Sequence, residues 1–375
     1  MQRIVIIGGG ILGASAAYHL AKAGLEVLIV DRRDNGQATD AAAGIICPWL
    51  SQRRNKAWYA LAKGGAAYYT YLINQLVKEG ETETGYRKVG AISLQTNEEK
   101  LEKMEKRALE RRETAKEIGN VKKLSTTETF NKFPRLASEY ASVFIEGAAR
   151  VDGRALRDAL MRGAEKFGAK IMYGNAKLSV DGNKVNGVFV DDTLHLASNI
   201  IVAVGAWAQE LFTPLGFTVN VKGQKAQILH LKEENTDTSK WPVVIPPNDQ
   251  YIVAFDGGKI VIGATHEDDK EFDVRPTVYG IHEVLDKALQ TAPALADASV
   301  EEVRIGIRPF TPNFLPMFGP VPNYPEVLFA NGLGASGLTV GPYIGKQLTH
   351  LILNEQTDVD VANYKVDDAF IENEQ

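Results

Sequence analysis

Six residues near the start of the chain, Gly8-Gly9-Gly10-Ile11-Leu12-Gly13, have the composition and spacing to hold a phosphate group. An apolar β-branched run, Arg3-Ile4-Val5-Ile6-Ile7, precedes them, and a helix-forming stretch, Ala14 to Ala23, follows. Gly24 stops that stretch, and a second apolar run, Leu25 to Val30, ends in Asp31. Strand, glycine turn, helix, strand and acid at these offsets make the βαβ unit that binds a dinucleotide. Gly8 permits the tight turn off the strand, Gly10 lets the backbone approach a pyrophosphate, and Gly13 lets the helix lie close to the sheet. The pyrophosphate would rest on the free N–H groups at the helix start, where the dipole favours negative charge. Asp31 is placed to accept hydrogen bonds from a ribose hydroxyl. Arg32-Arg33 directly after it leave open a 2′-phosphate, and with it a nicotinamide cofactor.

The elements that must position these residues lie in a chain of 375 residues, enough for two domains or one large one. It is 45% hydrophobic and 24% charged, ordinary for a globular protein, with a net charge of −5. Such a charge gives no long-range attraction for nucleic acid or an anionic membrane. Cys47 is the single cysteine, so no intramolecular disulfide can form, which is compatible with a reducing compartment. No apolar run approaches the roughly 18 residues that would span a bilayer. The apolar N-terminal stretch is consumed by the glycine turn and does not read as a signal peptide. A cytoplasmic protein is expected.

Small residues, Ala41-Ala42-Ala43-Gly44, follow the first unit and would let the backbone press against something flat; on composition alone they also suit a flexible loop. Lys56 to Lys78 is apolar at helical spacing, a core helix. Gly85 to Gln95 alternates like a strand. Asn97 to Ile118 carries charges of both signs at helical spacing and reads as a solvated helix laced with i,i+4 pairs. Phe144 to Arg150 is strand-like, and Asp152 caps a helix over Gly153 to Phe167. Lys170 to Tyr173, Lys184 to Val190 and Asn199 to Val204 read as strands; Gly205-Ala206-Trp207 turns the last into a helix over Ala208 to Leu215. Alternating runs follow at Val219 to Leu231, Gln250 to Ala254, Lys259 to Thr265 and Val300 to Ile307, with a helix at Thr277 to Thr291 and a turn at Asp256-Gly257-Gly258. Val327 to Ala330 is a last buried strand. A second glycine segment, Asn331-Gly332-Leu333-Gly334-Ala335-Ser336-Gly337, precedes a helix from Leu338 to Leu353.

Several of these stretches, in order along nearly the whole chain, resemble the D-amino-acid oxidase family of flavoenzymes. They are residues 4–31, Ala41–Gly44, Val202–Trp207, Gly223-Gln224, Val261–Thr265, Arg304–Pro309 and Gly332–Pro342. Within the family the similarity is to the glycine oxidase, sarcosine oxidase and D-amino-acid dehydrogenase group. The resemblance implies an α/β FAD-binding Rossmann-type domain with an inserted, mainly antiparallel β substrate domain. The expected division is 1–83, 147–220 and 305–375 for the FAD-binding domain, with 84–146 and 221–304 for the substrate domain.

The resemblance implies non-covalent FAD. Gly8, Gly10, Ile11, Leu12 and Gly13 would hold the pyrophosphate, and Asp31, with Arg32 beside it, the adenosine ribose. Ala43, Gly44 and Ile45 match the loop along the flavin ring, and Lys177 matches a backbone contact to the adenine. Gly205 falls in the matched Val202–Trp207 stretch. Gly332, Leu333, Gly334, Ala335, Ser336, Gly337, Leu338 and Thr339 match the second glycine segment, where a helix N-terminus faces the pyrimidine end of the flavin. Asp40 stands where relatives usually have Ser or Thr. On the substrate side, Arg308 matches the arginine that pairs with the substrate carboxylate, Tyr251 a second carboxylate contact, and His266 a position that points toward substrate. The implied activity is oxidation of the C–N bond of glycine, sarcosine or a D-amino acid by hydride transfer, giving an imine that hydrolyses. O2 or a quinone- or dye-type acceptor would take the electrons, and a homo-oligomer stays open. The alternatives are an NAD(P)-dependent dehydrogenase and a non-catalytic flavoprotein subunit.

Overall fold

The computed structural model describes residues 3–268, 270 and 272–372, so the outermost ends of the expected first domain lie outside the described residues. The strand Arg3–Ile7 is the centre of a six-stranded sheet. The strand order is Met317–Val321, Tyr324–Asn331, Asn199–Val202, Arg3–Ile7, Glu26–Asp31, Lys170–Tyr173. All neighbours are parallel except the hairpin of the first two. A parallel sheet is covered on both faces, which is why its strands are continuously apolar. Ile4 and Ile6 face one core with Val27 and Ile29, and Val5 and Ile7 face the other with Leu28 and Val30. Helices Ile11–Lys22, Lys56–Lys78, Gly153–Lys166 and Gly337–Ile352 pack together over the first face. An antiparallel sheet of Ala176–Asp181, Lys184–Val190 and Thr193–Leu196 covers the second.

The other large layer is an eight-stranded sheet. Its order is Ser299–Phe310, Lys222–Lys232, Lys259–Gly263, Tyr251–Ala254, Val243–Ile245, Ala91–Gln95, Ala141–Ile145, Val121–Leu124. Every pair is antiparallel except Val243–Ile245 with Ala91–Gln95. Helix Val278–Thr291 covers it through Val284 and Ala288. Ser299–Phe310 pairs with Lys222–Lys232 along its length, from Ser299 opposite Lys232 to Phe310 opposite Lys222, so a division at 304/305 cuts a continuous strand.

Helix starts follow local chemistry. Asn55, Asp152 and Thr277 each accept a backbone N–H of the helix they precede, at 2.9, 3.0 and 3.1 Å. Several expected elements are shorter or split. Gly85 to Gln95 breaks into Arg87–Lys88 and Ala91–Gln95 at Gly90, whose φ is +77°. The run from Val219 breaks at Asn220 into Phe217–Val219 and Lys222–Lys232. The charged helix ends at Arg112, before a separate 3-10 turn, Lys116–Ile118. That helix is not solvated all round. Its Glu99–Lys103 pair is present at 2.5 Å, but Leu101, Met104 and Ala108 are buried. Arg111 donates to the carbonyls of Trp49 and Ser51 at 2.6 and 2.8 Å.

Candidate active site

A cavity of about 790 Å³ opens at the carboxyl ends of the central parallel strands. Arg3–Ile7 sends the chain to Glu26–Asp31 on one side and has Asn199–Val202 on the other, so the sheet order reverses there. Crevices at such a switch point receive ligands in doubly wound sheets. Ile7, Val30 and Ala203 line this end, while Ser93, Ala226, Ile245, Tyr251 and Arg308 bring the eight-stranded sheet to the opposite end.

The first glycine turn is built by close approach. Gly8 has φ +102°, and a Cβ there would lie 2.4 Å from the Ala203 carbonyl oxygen. A Cβ on Gly13 would fall 1.8 Å from the Gly8 carbonyl oxygen, so only glycine lets this helix start so near the strand end. Gly10, Ile11 and Leu12 line the cavity; Gly13 does not, and acts through packing. The hydroxyl placed at the helix start is that of Thr39, which accepts the Ile11 N–H at 3.0 Å. Its neighbour Asp40 turns away to Arg157, with Arg154 3.8 Å off. Of the two neighbours, it is Thr39 and not Asp40 that meets the helix start.

Asp31 is buried and lines the cavity. It accepts the N–H groups of Gly9 and Arg33, each at 2.5 Å, and the Gln37 amide at 2.9 Å. A carboxylate has about four lone-pair directions, so one acceptor site is left for a ligand hydroxyl. Arg32 also lines the cavity but is spoken for: it reaches Asp34 at 2.8 Å and Glu210 at 2.6 Å. A 2′-phosphate would meet a guanidinium already neutralised. Lys177 and Gly205 line the same end.

Ala43, Gly44 and Ile45 form a middle wall with Cys47. Gly44 has φ +84°, and its missing Cβ would lie 1.7 Å from the Val151 carbonyl oxygen. Facing it are Leu333, Gly334, Ala335, Ser336, Gly337, Leu338 and Thr339. Gly332 lies in the same segment but does not line the cavity; its φ is +77° and a Cβ would strike the Thr311 hydroxyl at 1.9 Å. Its part is a close turn, not a wall. Asn331, buried and unforeseen, ties this segment to the switch point by donating to the Gly205 carbonyl at 2.8 Å. The helix Gly337–Ile352 starts here without a side-chain cap. Its Pro342 has no N–H for the Leu338 carbonyl, and the buried Tyr69 hydroxyl supplies the missing donor at 2.5 Å.

At the far end, Arg308 is held by pairing of its strand with Gln224. Its Nη1 is buried and has no hydrogen-bond partner among the described residues. Burial pushes the Tyr251 phenol up, opposed by the charge and hydrogen bond of Arg308, so the hydroxyl stays protonated beside the guanidinium. His266 lies at the rim, its Nδ1 3.7 Å from Asp249, which Lys287 holds at 3.0 Å. Burial, then the charge of Arg308, hold the imidazole below its ordinary value, so it is neutral at neutral pH. Arg308, Tyr251 and His266 are thus brought together.

Residues 3–351 match the model of the DAO family, described as FAD dependent oxidoreductase. The chain belongs to this family. As a DAO-family protein it is an FAD-dependent enzyme, and the nicotinamide and non-catalytic alternatives fall away. It is 56% identical over 365 residues to the uncharacterized oxidoreductase YurR of Bacillus subtilis strain 168, covering 97% of this chain and 98% of that one. It is 27% identical over 368 residues to a glycine oxidase of Pseudomonas aeruginosa, covering 97% and 98%. The crystal structure of iminodiacetate oxidase from Chelativorans sp. BNC1 superposes with a TM-score of 0.94 at 42% identity, covering 97% of this chain and 98% of that one.

The cradle fits the DAO cofactor. The starts of helices Ile11–Lys22 and Gly337–Ile352 face the cavity with N-cap residues, Gly10 and Ser336, that give them no side-chain bond, and the close turns at Gly8 and Gly44 bring backbone to the cavity wall. Burial pushes the Cys47 thiol up to about 12, which leaves almost no thiolate to attack a flavin. Beyond the matched residues, a far wall of Ser93, Gln95, Met104 and Arg107 went unforeseen. Met104 and Arg107 sit in the charged helix, where no local pattern separates a cavity-facing arginine from a solvated one. No helix among the described residues is long and apolar enough to cross a membrane.

Proposed function

We propose that this enzyme oxidises the C–N bond of a small amino acid, glycine, sarcosine or a D-amino acid among them. The observation that carries the reading is Arg308, whose buried Nη1 has no partner among the described residues, at the end of the cavity opposite the nucleotide loop. Leaving such a donor unpaired is costly, and a ligand carboxylate would relieve it with charge-assisted hydrogen bonds.

In this reading Gly10, Ile11, Leu12 and Thr39 hold the pyrophosphate, Asp31 the ribose, Lys177 the adenine, and Ala43 to Ile45 with Leu333 to Thr339 the flavin. Bound FAD supplies a hydride acceptor. Arg308 and Tyr251 clamp the carboxylate, which fixes the α-carbon in one orientation and removes the entropy of finding it. His266, neutral at neutral pH, adds no charge that would repel an amine. The α-C–H bond breaks with its electron pair, the nitrogen lone pair closes the C=N bond, and water adds to the imine to release a carbonyl acid with ammonia from a primary amine or an amine from an N-substituted one. The eight-stranded layer, taken through Phe310, serves as the substrate domain. O2 or a quinone-type acceptor removes the electrons, in the cytoplasm, whether the enzyme is a monomer or an oligomer.

The test is anaerobic mixing of the yellow holoenzyme with a panel of amines and amino acids, following the flavin absorption band. Bleaching by carboxylate-bearing amines, with colour returning on admission of oxygen or a dye, is the expected result. No bleaching by any member of the panel would exclude the proposal.

A further inference from the structure

The substrate end of the cavity holds more positive charge than one carboxylate uses. Arg107, on helix Glu98–Arg112, lines the cavity on a different element from Arg308, and its helix packs against the strand Ala91–Gln95, whose Ser93 and Gln95 line the cavity too. Its one hydrogen bond among the described residues is a long one, 3.4 Å to the Leu50 carbonyl, and no ion pair is found for it there. Arg111 lies one turn along the same helix, and burial, then the charge of Arg107, hold its guanidinium below the ordinary value. Like charges at i,i+4 destabilise a helix when nothing lies between them. The acids that line the cavity do not relieve either arginine. Asp31 is bound by the glycine turn, Asp34 and Glu210 are bound to Arg32, and Asp249 is bound to Lys287. At the substrate end, Arg308 and Arg107 thus stand as two cavity-lining cations without an acid partner among the described residues, on the strand Ser299–Phe310 and the helix Glu98–Arg112, while Lys177, also without one there, lines the nucleotide end.

We infer that the preferred substrate is an amine with two carboxylates, and that Arg107 receives the second. This rests on the proposed clamp, with Arg308 taking the carboxylate next to the carbon that is oxidised. A monocarboxylate leaves Arg107 unrelieved; a dicarboxylate answers both cations and gains specificity as well as affinity. Ser93 and Gln95, two apart on one strand and lining the same wall, offer neutral hydrogen-bonding groups next to that subsite.

Anaerobic reduction of the holoenzyme by iminodiacetate, sarcosine, D-aspartate and D-alanine tests this. Iminodiacetate and sarcosine share a secondary amine and differ by one carboxylate; D-aspartate and D-alanine make the same comparison with the acid on the side chain. In at least one pair kcat/KM should favour the dicarboxylate by about tenfold or more, the size expected for a charge-assisted contact, and the winning pair tells which side of the molecule carries the second acid. Arg107→Gln should bring that ratio close to one, and Arg107→Lys should recover part of it. Flavin absorbance and melting temperature report whether each variant is folded and loaded. Iminodiacetate and D-aspartate no better than their partners, or a ratio unmoved in Arg107→Gln, would overturn the second-carboxylate site while leaving the Arg308 clamp standing. Failure of all four substrates to reduce the flavin would overturn both.

Discussion

Asp31 shows how one residue serves the fold and a ligand together. Its carboxylate takes three donors from the protein, two of them backbone N–H groups of the glycine turn and the segment after the strand. Removing it unties the turn and deletes the acceptor proposed for the ribose. Asp31→Ala should weaken FAD retention by about 1–3 kcal/mol, the cost of a lost buried hydrogen-bonding group. Flavin content measured after dialysis checks this, and wild-type retention would show that the acid does not serve the cofactor. Cys47 belongs to the same scale. With its thiol held protonated, acid or heat should release all of the flavin into the supernatant. At this scale Thr39 and Asp40 mark what a sequence hides. They lie in a 3-10 turn, Ala38–Ala41, where successive side chains point about 120° apart. Which of two adjacent residues faces the helix start depends on the turn's rotation, and that is set by Arg157 and Arg154 pulling on Asp40 more than a hundred positions away in the chain.

Among elements, the first βαβ unit was legible because most of its constraints are local: Gly13 meets the Gly8 carbonyl and Asp31 the Gly9 N–H, while Gly8 also meets a distant strand end at Ala203. Gly332 resembled them in composition, yet it packs on Thr311 across a chain reversal and faces no cavity. The order of the eight-stranded sheet was not legible at all. Residues 91–95 lie beside 243–245, in parallel, and nothing in either stretch names its partner. The helix Gly337–Ile352 shows a repair that spans elements. Pro342 leaves the Leu338 carbonyl without its helical donor, and Tyr69 on another helix replaces it. Tyr69→Phe should cost roughly 1–3 kcal/mol of stability by stranding that carbonyl, and should loosen FAD because the same turn lines the cavity. Thermal unfolding of apo and loaded protein separates the two effects; unchanged melting in both would contradict the repair.

For the molecule as a whole, the helical layer sets a pH limit. His19, in helix Ile11–Lys22, meets the Tyr68 hydroxyl at 2.6 Å. Burial, then the charges of Lys22 and Lys346, lower its pKa to about 3 from an ordinary 6.5. The unfolded chain therefore takes up this proton first, so stability is lost as pH falls below 6.5 and the loss levels off near 3. His19→Gln should flatten the fall in melting temperature over that window, and a slope equal to wild type would assign the acid sensitivity elsewhere. FAD adds to stability by binding only the folded state, so loaded protein should melt above apo protein at every pH in the window.

The central claim is the carboxylate clamp, and one comparison tests it most directly. Arg308→Ala, loaded with FAD, is reduced anaerobically by its best carboxylate substrate and by a matched amine without a carboxylate. The expected loss of kcat/KM for the acid is roughly 2–5 kcal/mol of transition-state binding, because a partner charge is left unpaired. The plain amine should lose far less, and flavin content should match wild type. Arg308→Lys should still be impaired for the acid, since a point charge does not reproduce the two-pronged geometry. Equal slowing of acid and plain amine, or loss of the flavin itself, would contradict the assignment of Arg308 to the substrate carboxylate.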